Sequence, residues 1–205
     1  MNIIERLLPV NKYNNPNKNV PIEGIEIAIH NTGDAGADAD LLLAYYNNVA
    51  RGVFADNKNA WTSTNFIVGF DGKIIKCIEV GRMSYAVSGN NHKLINIEVC
   101  QEDSGGKFSD SAINALRDLV TWLMTKYNIP AERVKRHYDY TRKPCPLYYV
   151  DNARWADLKQ IITSAAKYRK ITLYGSLSAA DSTRICTGIK SLMPDISAEI
   201  SLSDK

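Results

Sequence analysis

The chain is poor in the features that mark several large classes of protein. It contains no apolar run long enough to cross a membrane. Its beginning, MNIIERLLPVNKYNNPN, has no sustained apolar stretch after a basic start. Neither membrane insertion nor a secretory leader is therefore expected, and synthesis in a cytoplasm is. Cysteine is sparse: Cys77, Cys100, Cys145 and Cys186 are widely separated and sit in unlike contexts, which argues against a disulfide framework. Charge of one sign is hardly in excess. The net +3 is too small to point to nucleic acid, although it suits weak attraction to an anionic surface such as a cell wall. Histidine is scarce as well, at three residues.

What is present is ordinary globular material. With 205 residues, 45% of them hydrophobic, the chain can bury one domain of roughly 150 residues and carry a smaller appendage. Gly24–His30 reads G-I-E-I-A-I-H, whose alternation puts Ile25, Ile27 and Ile29 on one strand face and Glu26, Ala28 and His30 on the other. A small-residue loop, Asn31–Ala37, leads to Asp38, the expected cap of a helix carrying Leu41, Leu42, Tyr45 and Val49. Asp71-Gly72 between Asn65–Phe70 and Lys73–Ile78 marks a hairpin. Leu94–Cys100 alternates again, with Ile95, Ile97 and Val99 opposed to Asn96 and Glu98. Ser109 caps an amphipathic helix striped by Ile113, Leu116, Leu119, Leu123, Met124 and Tyr127, which Pro130 closes. A short strand near Val134–His137, a Pro-rich loop through Pro146, and a helix over Asp151–Ala166 with Trp155, Leu158 and Ile162 inward complete this part.

The pattern predicts an α/β domain with a single mixed sheet flanked by helices. Two strands have an apolar face suited to helix packing and a second face bearing His30 and Glu98, so a polar cleft is expected on the sheet's open face. Residues 1–167 form this domain, and residues 168–205 form a small C-terminal β-α-β piece: strand Ile171–Tyr174, helix Ser178–Leu192, strand Ile196–Leu202. So short a piece cannot bury enough surface to stand alone. It must dock on the main domain, pair with another copy of the chain, or belong to something longer.

Two of the histidines invite a ligand reading. His30 ends a strand facing the expected cleft, and His137 opens R-H-Y-D-Y-T-R-K-P-C-P, which contains Cys145. Two imidazoles and a thiolate suit zinc, and three protein ligands leave one position open, as catalytic sites do. Spacing alone leaves the bland alternatives standing: a surface His30, a loop His137, a buried structural thiol at Cys145. His92, in G-N-N-H-K, reads as solvent-exposed or a substrate contact.

Three segments in order, I-A-I-H-N-T-G, I-N-I-E-V-C and K-R-H-Y-D-Y-T-R-K-P-C-P, resemble the zinc-dependent N-acetylmuramoyl-L-alanine amidases, a family of phage endolysins, autolysins and peptidoglycan recognition proteins. The likeness runs over about Ile22–Ile162. It implies Zn2+ held by His30, His137 and Cys145, with bacterial peptidoglycan as partner. Glu98 matches an acid/base carboxylate, and Lys143 a basic residue placed to stabilise an oxyanion. Asn31 and Thr32 would lie at the cleft floor. For Glu98 the alternative is a salt-bridged strand residue, and for Lys143 a surface lysine. Asp139 either orients His137 or caps the loop.

The chain departs from that family where relatives carry Tyr or His near Thr64-Asn65 and W-H-A in place of Ser84-Tyr85-Ala86. That shifts weight onto Glu98. The implied protein is an endolysin of a phage or prophage, held in the producing cell until release onto the wall, with a wall-binding or self-assembling C-terminal piece. The rival is a non-hydrolytic peptidoglycan-binding protein of the same fold, against which the presence of Cys145 counts. A purely structural zinc clamp is a third reading, weakened by the lack of a fourth ligand.

Overall fold

Strands β1 (Ile3–Glu5), β2 (Glu26–Ala35), β3 (Phe66–Val68), β4 (Ile74–Lys76), β5 (Leu94–Gln101) and β6 (Val134–Arg136) build one mixed sheet in the order β1-β4-β3-β5-β2-β6. Helices α1 (Ala39–Ala50), α2 (Asp110–Tyr127), α3 (His137–Thr141) and α4 (Asn152–Thr163) accompany it. This computed structural model describes residues 1–54, 61–164, 171–174, 181, 183, 184, 187 and 200–203. The chain divides into two units, Met1–Ser164 and Ala165–Lys205.

The expected hairpin forms: β3 and β4 run antiparallel, and Gly72, with φ +88°, supplies the turn conformation that side-chain-bearing residues resist. The other neighbouring strands are parallel. The register of β2 on β5 sets Ile27 beside Ile95, Ile29 beside Ile97 and His30 beside Glu98. Alternation therefore sorts both strands together. Their isoleucines enter one buried cluster with Leu116, Leu119 and Leu123 of α2 and Trp155, Leu158 and Ile162 of α4. Each such side chain, fully buried, contributes about 1.5–3 kcal/mol. Ser109 starts α2 by accepting a hydrogen bond from the Ala112 N–H at 3.1 Å, and Asn128 ends it in the left-handed conformation.

β1, for which the sequence suggested no element, pairs in parallel with β4. Three expectations need correction. β2 continues to Ala35 through the segment expected to be a loop, with a register irregularity between Asn31 and Ala35. The segment after β6, expected as loop, opens with the short helix α3. The second sheet face is also not open throughout, because α1 covers part of it with Ala39, Leu43 and Tyr46 on Ile67, Ile75, Cys77 and Cys100. Leu41 and Tyr45 turn away from that contact and border a cleft.

In the second unit, β7 (Ile171–Tyr174) and β8 (Ile200–Ser203) pair in parallel as a separate two-stranded sheet. The expected helix Ser178–Leu192 lies almost wholly outside the described residues, as do residues 196–199 of the expected second strand and Cys186.

The face that α1 buries yields a contrast that sequence alone would miss. Leu43 is 4% exposed and Leu41 60%. Leu43→Ala is expected to cost about 2–5 kcal/mol in denaturant unfolding, whereas Leu41→Ala stays within about 0.5 kcal/mol of the parent. Equal losses would place the helix in a different rotation.

Candidate metal centre and cleft

Neighbouring parallel strands carry the site. Because β6 pairs with β2 through Ile29 and Arg136, the next residue, His137, arrives beside His30. Their Nδ1 atoms are 3.1 Å apart and both rings are buried. Arg136, itself buried, locks this junction. Its guanidinium donates to Asp139 and Asn152 and to the carbonyls of Tyr149 and Val150. Cys145 returns to the same point after α3, where its carbonyl accepts from the Tyr138 N–H at 2.8 Å. Its sulfur accepts from the Asn31 N–H at 3.4 Å and lies 3.9 Å from His30 Nδ1. One donor atom from each of His30, His137 and Cys145 falls within 4.8 Å of the others.

The neighbours of this triad prepare it for a cation. His30 Nε2 lies 3.1 Å from Asn96 Oδ1. An amide oxygen only accepts, so Nε2 carries the proton and the Nδ1 lone pair points to the triad. Asn96 is fixed in turn: its side-chain amide donates to Ser84 Oγ at 2.9 Å, and its backbone N–H donates to Asn65 Oδ1 at 2.9 Å. Burial lowers the pKa of His30 to about 3, helped by His137 and Lys143, and that of His137 to about 4. Both imidazoles are thus neutral near pH 7, the state in which histidine ligates. Burial also pushes the Cys145 thiol up to about 12, so a thiolate there needs a cation at hand. Two imidazole nitrogens and a sulfur are the donors zinc accepts, and the triad can hold a divalent metal.

Glu98 stands next to His30, with its Oε1 3.8 Å from Nδ1 and its side chain 13% exposed. Its other oxygen, Oε2, is buried with no hydrogen-bond partner. Burial raises its pKa to about 8, against the opposing pull of Lys143. The contact with His30 is consequently no ion pair at neutral pH, because both groups are uncharged there. Lys143 borders the same cleft, and its charge acts on His30, His137, Cys145 and Glu98 alike. The cleft has a volume of about 1140 Å³.

Other expected residues fall differently. Asp139 makes no hydrogen bond to His137; its carboxylate accepts from the Arg136 backbone and guanidinium, which makes it a cap and a brace for the start of α3. Thr64 and Asn65 are buried and hydrogen-bonded into the support of Asn96. His92 is exposed in a short 3-10 turn. Asn31 and Thr32 do border the cleft, but Asn31 does more. Its Oδ1 accepts from the Leu147 N–H at 2.9 Å and its amide donates to Gln101, which ties the Cys145 loop to β2 and β5. Sequence reasoning missed this role and that of Asn96. The one signal for Asn96 was its place on the same strand face as Glu98.

Comparison with known proteins agrees with this geometry. The family described as N-acetylmuramoyl-L-alanine amidase matches residues 22–147. The amidase CwlA of a Bacillus species is 32% identical over 165 residues, covering 75% of this chain and 59% of that protein. CwlA of Bacillus subtilis is 26% identical, covering 80% and 58%. The chain thus spans a little under three fifths of these curated relatives. Among solved structures, PlyL superposes with a TM-score of 0.65 at 28% identity, over 80% of this chain and 98% of that one. The catalytic domain of XlyA gives 0.64 at 27%, over 79% and 99%. By its match over residues 22–147, this chain belongs to the N-acetylmuramoyl-L-alanine amidase family.

Proposed function

We propose that this chain hydrolyses the amide joining N-acetylmuramic acid to the L-alanine of the peptidoglycan stem peptide, with Zn2+ held by His30, His137 and Cys145. The observation that carries the reading is the convergence of those three donors beside a buried carboxyl, Glu98, in one cleft. Support comes from relatives whose names describe the same amidase and from a similar structure described as an endolysin from Bacillus subtilis. We read the whole protein as an endolysin of a phage or prophage, kept in the producing cell until it reaches the wall. A non-hydrolytic wall-binding protein is the weaker reading, since binding alone needs neither the triad nor an unpaired buried carboxyl.

Amide hydrolysis requires a better nucleophile than neutral water and a more electrophilic carbonyl than an amide offers. Zinc, when bound, supplies Lewis acidity for both needs near neutral pH. Glu98 takes a proton from the attacking water as the C–O bond forms, and delivers it to the departing nitrogen as the C–N bond breaks. Burial holds the Glu98 proton on near neutral pH when no metal is bound, and a bound dication favours the ionised form that takes the first proton. Lys143 offers positive charge to the oxyanion that develops on the carbonyl oxygen. Asn96 holds the His30 tautomer, and Asn31 holds the loop that presents Cys145.

Residues 168–205 are proposed as a wall-binding or assembly module, with residues 1–167 carrying the chemistry. Among the described residues, β7 and β8 pair only with each other, and each leaves a strand edge able to accept another strand, including one from a second copy.

Purified walls treated with the protein should release new L-alanine amino termini without new reducing sugars; new reducing ends would identify a glycosidase instead. One equivalent of zinc is expected per chain, and alanine at His30, His137 or Cys145 should lose most of the metal and nearly all lysis. Full activity in a metal-free Cys145→Ala protein would rule the site out.

Glu98→Gln should retain zinc while turnover falls at least about a hundredfold. The same variant has a signature without metal. Glu98 keeps its proton in the folded state up to a pKa of about 8, against an ordinary value of 4.5. The stabilisation from that proton is full below the ordinary value and is lost as pH rises through the folded one. The advantage in melting temperature of metal-free Glu98→Gln over metal-free parent should therefore widen between those two pH values. A difference independent of pH would show that Glu98 is not held as described.

A version ending at Lys167 tests the module. Preserved hydrolysis of soluble muropeptides with weakened binding to intact walls is expected. A large fall in melting temperature with unchanged wall binding would assign the tail to stabilisation alone.

A further inference from the structure

Trp61 is 54% exposed, although a large apolar ring gains most when buried. It borders the same cleft as the His-His-Cys triad, and it is braced on two sides. Its ring meets Tyr13 edge-on at 6.5 Å between centroids and Tyr85 at 6.0 Å. The support beneath is polar and buried. Ser63 and Tyr85 exchange two hydrogen bonds of 2.9 Å, from the Ser63 N–H to the Tyr85 carbonyl and from the Tyr85 N–H to Ser63 Oγ. Ser63 Oγ donates to the Asn14 carbonyl at 2.6 Å, and the Asn14 amide donates to the Tyr46 carbonyl at 2.8 Å, so the platform is tied to α1. Asn91 Oδ1 accepts from the backbone N–H groups of Ala86 and Val87, which fixes the segment after Tyr85. Fully buried Asn14 and Ser63 thus hold in place a pair of rings that contributes little to the core.

The chemistry of this wall differs from that of the rest of the cleft. The stretches that build it, residues 61–62 and 85–91, contain no charged side chain, and they place Thr62, Ser88 and Asn91 beside the rings. The charged groups that border the cleft, Asp34, Glu98 and Lys143, come from β2, β5 and the Cys145 loop. An uncharged ligand with one flat apolar face and a polar edge fits an aromatic wall rimmed by hydroxyl and amide groups. A pyranose of the N-acetylhexosamine type has that form: C–H bonds on a face, hydroxyl and acetamido groups around the edge. Stem peptides carry free carboxylates and match the charged side better. The volume of about 1140 Å³ also exceeds a typical small-molecule pocket of about 300–1,000 Å³, which leaves room for sugar beyond the scissile linkage.

We propose that Trp61 and Tyr85 form a saccharide-stacking subsite that seats an N-acetylhexosamine ring of the glycan strand, with the stem peptide lying towards Lys143. The choice of sugar rests on the amidase reading, but its test does not use amide cleavage. The full-length zinc-loaded protein, labelled with 15N, is titrated with a neutral tetramer of N-acetylglucosamine and, separately, with a sugar-free stem pentapeptide. The indole N–H signals of Trp61, Trp122 and Trp155 are followed. The tetramer should move the Trp61 signal and leave the other two in place, while the peptide leaves Trp61 unmoved. Trp61→Ala should weaken tetramer binding at least about tenfold with zinc content unchanged, and Trp61→Phe should stay within about threefold. The proposal is overturned if the tetramer moves no indole signal, if Trp61→Ala binds it as the parent does, or if the peptide alone moves Trp61. Tetramer binding without release of L-alanine termini from walls would leave the subsite standing and sink the amidase reading; the reverse pair of results would do the opposite.

Discussion

Parallel pairing of β2 with β5, with His30 level with Glu98, is the constraint on which the rest of the site depends. In a parallel pair, residues that share a register position share a face, so one pairing decides both halves of the molecule. It stacks Ile27 on Ile95 and Ile29 on Ile97 under α2 and α4, and it sets an imidazole beside a carboxyl on the other side. A slip of one residue would drive His30 into the apolar cluster and turn Ile29 towards the cleft. The hydrophobic burial that stabilises the sheet therefore also fixes the geometry of the chemistry, and no separate device is needed to align the two groups.

Around that pairing the chain buries a set of polar side chains, and among the described residues only Glu98 Oε2 lacks a hydrogen-bond partner there. Thr64, Asn65, Ser84 and Asn96 are fully buried and bonded to one another or to backbone, and the network ends on His30 Nε2. A buried amide left unpaired costs about 1–3 kcal/mol, so such a network is stable only when complete. Completeness makes it directional: Asn96 can accept from His30 only because its own amide is occupied by Ser84. Thr64, Asn65 and Ser84, positions where the sequence departs from the family pattern, are here given to this support.

The legible part of the fold was the part with phase. Alternation in Gly24–His30 and Leu94–Cys100 marked β2 and β5 because one face of each is wholly apolar, and the stripe of α2 showed because its outer face is polar. Where apolar residues run together the phase vanishes. Leu41-Leu42-Leu43 and Tyr45-Tyr46 allow α1 several rotations, and only packing on Ile67, Ile75 and Cys77 selects Leu43 and Tyr46. β1 has three residues, two of them exposed, and no pattern to read, and α3 has five residues nucleated by the Arg136–Asp139 brace. For the site, His137 lies 107 positions after His30, a separation that no local pattern bridges, so the triad was approached through family resemblance. Asn31 and Asn96 stayed hidden because a strand asparagine looks the same whether it supports a ligand or not.

The balance of charge within the cleft joins these strands of reasoning. Near neutral pH and without metal, His30 and His137 are neutral imidazoles, Cys145 is a thiol and Glu98 holds its proton, each kept uncharged chiefly by burial. Isolated charge in such surroundings is costly, so the site avoids it. On the proposed reading, a dication changes that account. It favours loss of the Cys145 proton and of the Glu98 proton, and the two negative charges created match its own. A bound metal thus favours the ionised carboxylate that burial alone disfavours. Lys143 then remains as the cationic side chain bordering the cleft, available to a carbonyl oxygen that gains charge as water adds to its carbon and loses it as the bond from that carbon to nitrogen breaks. The uncharged wall of Trp61 and Tyr85 takes no part in that balance, which suits a surface that holds a neutral polymer while the charged side of the cleft works on its branch point.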